Sequence, residues 1–173
     1  MVNKNLYLLG FMGSGKSYVG KHIAEKIGWE FCDLDAVIER KMQCTISEIF
    51  DEHGEDCFRQ IEHQCLKELL LTKKTVVALG GGTPCFHDNI SLIKKRGVTF
   101  FLDLSVDVLY ERLIAETHKR PLIKGKSVSE LKSFIELKLN ERMDCYKKAH
   151  YIVSGPDNSI NRILNIRSFY IMN

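Results

Sequence analysis

Short apolar runs alternate along the chain with stretches whose apolar residues recur every three or four positions. Asn5 to Leu9 is a run of the first kind, closed by Gly10, and reads as a buried strand. Ser17 to Ile27 carries Val19, Ile23 and Ile27 at helical spacing, with Gly28 as a stop signal. Glu30 to Asp33 reads as a second short strand. Thr45 and Glu48 have capping-box spacing for a helix to about Glu52. Glu55 and Asp56 then open a helix with Phe58, Ile61, Cys65, Leu66 and Leu69 on one face.

The alternation continues to the end of the chain. Thr75 to Leu79 is β-branched and apolar and runs into Gly80, Gly81 and Gly82. A helix is predicted from Asp88 to Arg96, a strand from Val98 to Leu102, and a helix from Ser105 to about Ala115. Glu116 to Lys126 is polar and irregular. A long amphipathic helix from about Ser127 to Lys148, a strand from Tyr151 to Val153 and a helix from Ser159 onward complete the pattern. Strands separated by helices predict right-handed crossovers and a parallel sheet covered on both faces. Ligands of such folds bind beyond the carboxyl ends of the strands. Residues just after Leu9, Asp33 and Leu79 are therefore the places where chemistry is expected.

Composition narrows the class. A length of 173 residues with 45% hydrophobic content suits one domain with a sizeable core. A net charge of +3 is too mild to argue for a nucleic-acid or membrane-surface partner. Cys32, Cys44, Cys57, Cys65, Cys85 and Cys145 form no CxxC pair, which suits free thiols in a reducing cytoplasm. The apolar run Leu6 to Leu9 is too short for a membrane span and leads into glycines rather than a cleavage site.

Gly10-Phe11-Met12-Gly13-Ser14-Gly15-Lys16-Ser17 fits the phosphate-loop pattern GxxxxGKS at every fixed position, between a predicted strand and a predicted helix. Glycines there bring backbone N–H groups against phosphate oxygens, and the helix start adds partial positive charge. Lys16 is placed to reach the β- and γ-phosphates of a nucleotide, and the Ser17 hydroxyl to ligate Mg²⁺.

Other signals are weaker alone. Asp33 and Asp35 are two apart, on one side of the chain while it stays extended. One suits a metal, through water, and the other a hydroxyl proton; a helix cap before Ala36 is the competing reading. Gly80 to Gly82 suit either close approach to a ligand or a tight turn before Pro84. Arg59 and Glu62 are helix neighbours, for which spacing alone favours a surface salt bridge, and Arg142 has the same solvated reading. Arg120-Pro121-Leu122 lies in the irregular segment, which is either a loop that closes over nucleotide or an ordinary surface loop.

Taken in order, these pieces resemble the shikimate kinase family over nearly the whole length: GFMGSGKS at 10–17, DLD at 33–35, FRxxE at 58–62, GGG at 80–82, RPL at 120–122 and ERxxxY at 141–146. The resemblance implies a P-loop three-layer αβα sandwich with a five-stranded parallel sheet and a mobile lid at about 116–126. It implies ATP- and Mg²⁺-dependent phosphorylation of the shikimate 3-hydroxyl, on the way to chorismate and the aromatic amino acids, by a monomer. It assigns Gly10, Met12, Gly13, Ser14, Gly15, Lys16, Ser17 and Tyr18 to nucleotide. Ser17 and Asp33 go to the metal, Asp35 to the substrate hydroxyls and to the role of catalytic base, and Arg120 to the phosphates from the lid. Arg59, Arg142 and Gly80 to Gly82 are assigned to shikimate, the arginines to its carboxylate, with Phe50 and Phe58 walling its ring. The family's adenine loop carries a proline near the position of Ser159, whereas this chain has its proline at Pro156; Arg112 is the other residue expected near the base. A gluconate kinase would share the phosphate loop and fold, but the arginine pair with DLD favours shikimate. A nucleoside monophosphate kinase would need a base-recognition pocket, for which the sequence has no distinct signature. Intact Lys16, Ser17, Asp33, Asp35 and Arg120 argue against a catalytically silent nucleotide-binding module.

Overall fold

Period-two alternation decides the architecture. In β1 (Asn5–Leu9) Leu6 and Leu8 belong to one apolar cluster and Tyr7 and Leu9 to another, so both faces of the strand are covered. The same split holds for Val76 against Val77 in β3 (Thr75–Ala78) and for Phe100 against Phe101 in β4 (Gly97–Asp103). The computed structural model describes residues 4–115, 123, 125–155 and 159–171, the side chains of the last helix as far as Ile166. Together with β2 (Glu30–Asp33) and β5 (Tyr151–Ser154), the strands form one parallel sheet in the order β2-β3-β1-β4-β5.

Helices α1 (Lys16–Ile27) and α7 (Ser159–Ile171) cover one face through Val19, Ile23, Ala24 and Ile163. The other face carries α2 (Leu34–Met42), α3 (Ile46–Leu69), α4 (Asn89–Arg96), α5 (Val106–Leu113) and α6 (Val128–Tyr146). Their starts are chemically marked. Thr45 with Glu48 and Ser127 with Glu130 form complete capping boxes, and the Ser105 hydroxyl accepts from Val108 N–H. The two helices expected around residues 46–69 meet end to end at Gly54, whose φ of 77° and ψ of 175° put a kink in α3. Most of the expected lid at 116–126, with Arg120, lies outside the described residues. Among the described residues no helix is long and apolar enough to cross a membrane, and the six cysteines are free thiols.

One reading of the sequence is corrected here. The chain does not stay extended through Asp33-Leu34-Asp35. Asp33 ends β2 and caps α2, its Oδ1 accepting from Asp35 N–H at 3.1 Å, so Asp35 rides in the first helical turn. The capping reading is right, and it is compatible with chemistry, because the cap fixes Asp35 beside the strand ends.

Away from those strand ends, a histidine ties the edge of the sheet. His150 Nδ1 accepts from Thr99 N–H at 3.2 Å and lies 2.8 Å from Thr99 Oγ1, and His150 N–H donates to that hydroxyl at 2.8 Å. Burial, then the charges of Lys94 and Lys4, lower the imidazole pKa below its usual 6.5. The unfolded chain thus takes up this proton first as pH falls below about 6.5, and the native state loses stability there. His150→Asn keeps an acceptor at the Nδ1 position without a titrating group. Urea unfolding at pH 7.5 and 5.5 should show a smaller acid loss for the variant than for the parent; equal losses would remove His150 from the account.

Candidate active site

The phosphate loop leaves β1 at Gly10 and enters α1 at Lys16. Gly13 and Gly15 take φ of 78° and 91°, left-handed conformations that suit glycine and that turn the backbone into the helix start. That start has no side-chain cap and no acidic residue in its first turn. Inside the loop the Ser14 hydroxyl is buried and finds no hydrogen-bond partner among the described residues. A helix N-terminus without a carboxylate or cap, with a hydroxyl unsatisfied beside it, fits phosphate oxygens as ligands. Lys16 Nζ donates to the carbonyls of Gly10 and Phe11, each at 2.9 Å, which holds the ammonium over the loop.

Beside the loop, a cleft of about 380 Å³ is lined by Gly15, Tyr18, Arg112, Ser159 and Asn161, among others. Arg112 Nη1 donates to Gly13 O at 3.1 Å, so this exposed side chain lies along the loop. Ser159 borders the same cleft, and its hydroxyl points back to Gly155 O at 3.5 Å. Tyr18 is exposed there and packs against His22, ring centroids 4.2 Å apart.

The metal-assigned pair is in contact. Ser17 Oγ donates to Asp33 Oδ2 at 2.5 Å, an exposed hydroxyl–carboxylate pair at the edge of the phosphate loop. Among the described residues no group of three His, Cys, Asp or Glu gathers to cage a metal. One carboxylate and one hydroxyl suit Mg²⁺, which keeps waters and takes phosphate oxygens for its remaining positions.

The other half of the site is built around the glycine triplet. Thr83 N–H donates to Gly80 O at 3.2 Å and Cys85 N–H to Gly82 O at 2.9 Å, so the segment does turn tightly. It is also crowded. A methyl at Gly80 would sit 2.8 Å from Asp35 Oδ1 and 2.9 Å from Glu62 Oε1. At Gly82 it would strike the Arg59 guanidinium at 2.6 Å. At Gly81 it would lie 3.3 Å from Arg142 Nη1 and 3.4 Å from Met12 N, so this loop abuts the phosphate loop. Glycine is needed here because the site's own side chains press on the backbone.

Both arginines overturn the surface reading. Arg59 is 5% exposed and Glu62 0%, with Arg59 Nη1 donating to Glu62 Oε2 at 2.8 Å. The reason is tertiary. The face of α3 that carries Phe58, Cys65 and Leu66 also carries this pair, and the turn after β3 covers it. Arg142 is 9% exposed because it extends the buried stripe Leu131, Ile135, Leu139 and Tyr146 of α6. Phe50 and Phe58 stand with ring centroids 4.6 Å apart next to Arg59.

Asp35, whose carboxyl is enclosed although part of the residue reaches solvent, is pushed up from 3.8 to about 6. Desolvation is the main cause, followed by the negative charges of Asp33 and Glu62, with Lys16 pulling the other way.

Four contributors were not expected. The Phe86 ring lies 4.0 Å from the Arg59 guanidinium carbon and the Phe11 ring 5.5 Å from that of Arg142. Thr83 Oγ1 donates to Glu62 Oε1 at 2.5 Å. Tyr146 OH donates to Gly81 O at 2.6 Å, bolting the glycine loop to α6. Tyr146 stands one helical turn beyond Arg142, a spacing from which a shared face was readable. Phe11, Phe86 and Thr83 carry no such signal, since loop geometry alone brings them in.

Comparison with known proteins gives the family. A family model described as shikimate kinase matches residues 12–166. The shikimate kinase of Parabacteroides distasonis is 42% identical over 146 residues, 84% of each chain. A crystal structure of shikimate kinase from Bacteroides thetaiotaomicron superposes with a TM-score of 0.91 at 35% identity, covering 95% of this chain and 98% of that one. Shikimate kinase from Acinetobacter baumannii, solved in complex with shikimate, gives 0.83 at 34% identity over 98% of this chain and 92% of its own. A family model matched over most of its length and a relative 42% identical over 84% of it show that the chain belongs to the shikimate kinase family.

Proposed function

We infer that this chain transfers the γ-phosphate of ATP to the 3-hydroxyl of shikimate, giving shikimate 3-phosphate for aromatic amino acid synthesis. The observation that carries the reading is the convergence of a carboxylate, Asp35, and two buried guanidinium groups, Arg59 and Arg142, on one glycine loop that abuts the phosphate loop. A substrate with a carboxylate at one end and hydroxyls at the other matches that arrangement of charges.

In this reading the backbone of residues 13–17 and Lys16 hold the nucleotide phosphates, with Arg112 and Tyr18 along the adjoining cleft. Ser17 and Asp33 would hold Mg²⁺, which neutralises charge on the phosphoryl group when bound. Arg120 takes its part at the phosphates from its motif alone, as it lies outside the described residues. Arg142 and Arg59 orient the substrate through its carboxylate, and Phe50 and Phe58 flank the ring. Asp35 accepts the hydroxyl proton. A base whose pKa is about 6 is largely ionised at neutral pH and still matched to proton transfer. A monomer in the cytoplasm is the matching expectation.

The substrate is tested by ADP release with shikimate, gluconate and AMP offered in parallel. Turnover should depend on shikimate and on Mg²⁺; equal rates with gluconate or AMP, or none with shikimate, would overturn the assignment.

Asp35→Asn separates catalysis from stability. Its kcat should fall about 10²-fold or more, the usual scale for a lost acid–base group. The native parent holds this proton between pH 3.8 and about 6, where the unfolded chain has lost it. Parent stability therefore falls as pH rises through that window, and the full penalty applies above it. In EDTA the variant should gain up to about 3 kcal/mol over the parent at pH 7.5, and the gain should shrink toward pH 4. A variant that turns over within a few-fold of the parent, or gains equally at both pH values, would show that Asp35 is not the strained base.

Arg142→Lys keeps charge and loses the planar fork. The shikimate KM should rise roughly 10- to 100-fold, while ATP affinity without shikimate stays within twofold. A comparable loss for ATP would place Arg142 elsewhere in the mechanism.

A further inference from the structure

Each nitrogen of the Arg59 guanidinium already donates to a glutamate. Nη1 donates to Glu62 Oε2 at 2.8 Å, while Nε and Nη2 converge on a single oxygen, Glu55 Oε1, at 3.2 Å and 2.8 Å. The faces are taken too, by the Phe86 ring at 4.0 Å and by Gly82, where no methyl fits. A substrate carboxylate therefore gains two parallel N–H···O bonds on the Nε–Nη2 edge only where Glu55 gives that edge up.

The two glutamates differ in freedom. Glu62 has 1% of its side chain exposed and is pinned through its second oxygen by Thr83. Glu55 has 49% of its side chain exposed, and only one of its carboxylate oxygens serves Arg59. It follows directly on Gly54, where α3 kinks and where open space surrounds the glycine. Turning Glu55 into solvent breaks no packing, whereas moving Glu62 would strand a buried charge. Among the described residues, no salt bridge ties Arg142 to a carboxylate, so the contest is confined to Arg59.

We propose that Glu55 is an internal competitor for the substrate carboxylate, occupying the Nε–Nη2 edge of Arg59 and yielding it when substrate binds, so that its charge sets the affinity for shikimate. The inference rests on the assignment of Arg59 to the substrate. It makes Glu55 a specificity-determining residue: a neutral ligand gains too little from Arg59 to displace a carboxylate, and an anionic one regains the charge-assisted bonds that Glu55 gives up.

The sign of the effect separates this role from a structural one. If Glu55 merely held Arg59 in place, removing its charge would weaken shikimate. As a competitor, its removal strengthens it. In Glu55→Gln the shikimate KM should fall about two- to fivefold, the scale of a half-exposed i,i+4 ion pair, with the ATP KM unchanged. Glu55→Ala should show the same direction. Calorimetric titration with shikimate should show the same gain in Kd. In an Arg59→Lys background, where the fork is gone, the gain from Glu55→Gln should vanish. A shikimate KM that is unchanged or raised in both Glu55 variants, or a gain that persists without Arg59, overturns the proposal while leaving the kinase reading intact. A parent enzyme inert toward shikimate would sink both.

Discussion

Where Glu62 meets Arg59, two opposite charges are taken out of water, and desolvation of that kind costs several kcal/mol per ion unless every lone pair and donor is matched. The matching is close to complete. Glu62 receives Arg59 on one oxygen and the Thr83 hydroxyl on the other. The rings of Phe58 and Phe86 lie 5.0 and 4.0 Å from the guanidinium carbon, and Gly82 leaves room for it where any side chain would collide. The sequence that follows β3 is therefore constrained by a pair on a different element. Glycine at 82, threonine at 83 and an aromatic at 86 each meet a demand set by residues 59 and 62. The same buried negative charge presses on Asp35, which is one reason that carboxyl holds its proton longer than an ordinary aspartate.

Sheet order explains why these groups meet at all. In the order β2-β3-β1-β4-β5, the first three strands are neighbours, and their carboxyl ends deliver the acidic pair, the glycine turn and the phosphate loop side by side. Gly81 lies close to Met12 N and Gly10 O, so the two loops touch along their backbones. The proposed donor and acceptor sites thus share a wall. Tyr146 fastens that wall to α6, and one turn earlier the same helix supplies Arg142. Helix α6 therefore fixes the loop and the arginine above it as one unit.

Much of this was legible in the sequence, and the exceptions have a common cause. The phosphate loop, the strand ends and the capping box of Thr45 and Glu48 could be read because local chemistry decides them. Arg59, Glu62 and Arg142 could not be placed by spacing, since charged residues at helical intervals usually face water. Their burial is imposed by the turn after β3 and by the stripe of α6, contacts between segments far apart in sequence. Family motifs supplied the proposed role that spacing withheld, but they marked Glu62 and Phe11 without explaining them and passed over Thr83 and Phe86. The partnership of Glu55 with Arg59 is a plain i,i+4 spacing; only the buried setting of Arg59 gives it consequence.

Asp33 shows how a structural and a chemical duty are joined in one side chain. Its Oδ1 caps α2 by accepting from Asp35 N–H, and its Oδ2 accepts from the Ser17 hydroxyl in the first turn of α1. The starts of two helices are thereby tied through a single carboxylate. Asparagine at 33 keeps one acceptor oxygen for the cap and turns an amide N–H toward the Ser17 hydroxyl, so it exchanges a charge-assisted bond for a neutral one. The two bonds of Asp33 together hold the carboxyl of Asp35 in register with the phosphate loop, because the cap sets the Asp35 backbone and the Ser17 bond ties that cap to α1. The spacing of the two aspartates thus serves a helix start as much as a shared face, and the position of the candidate base relative to the phosphates is inherited from that start.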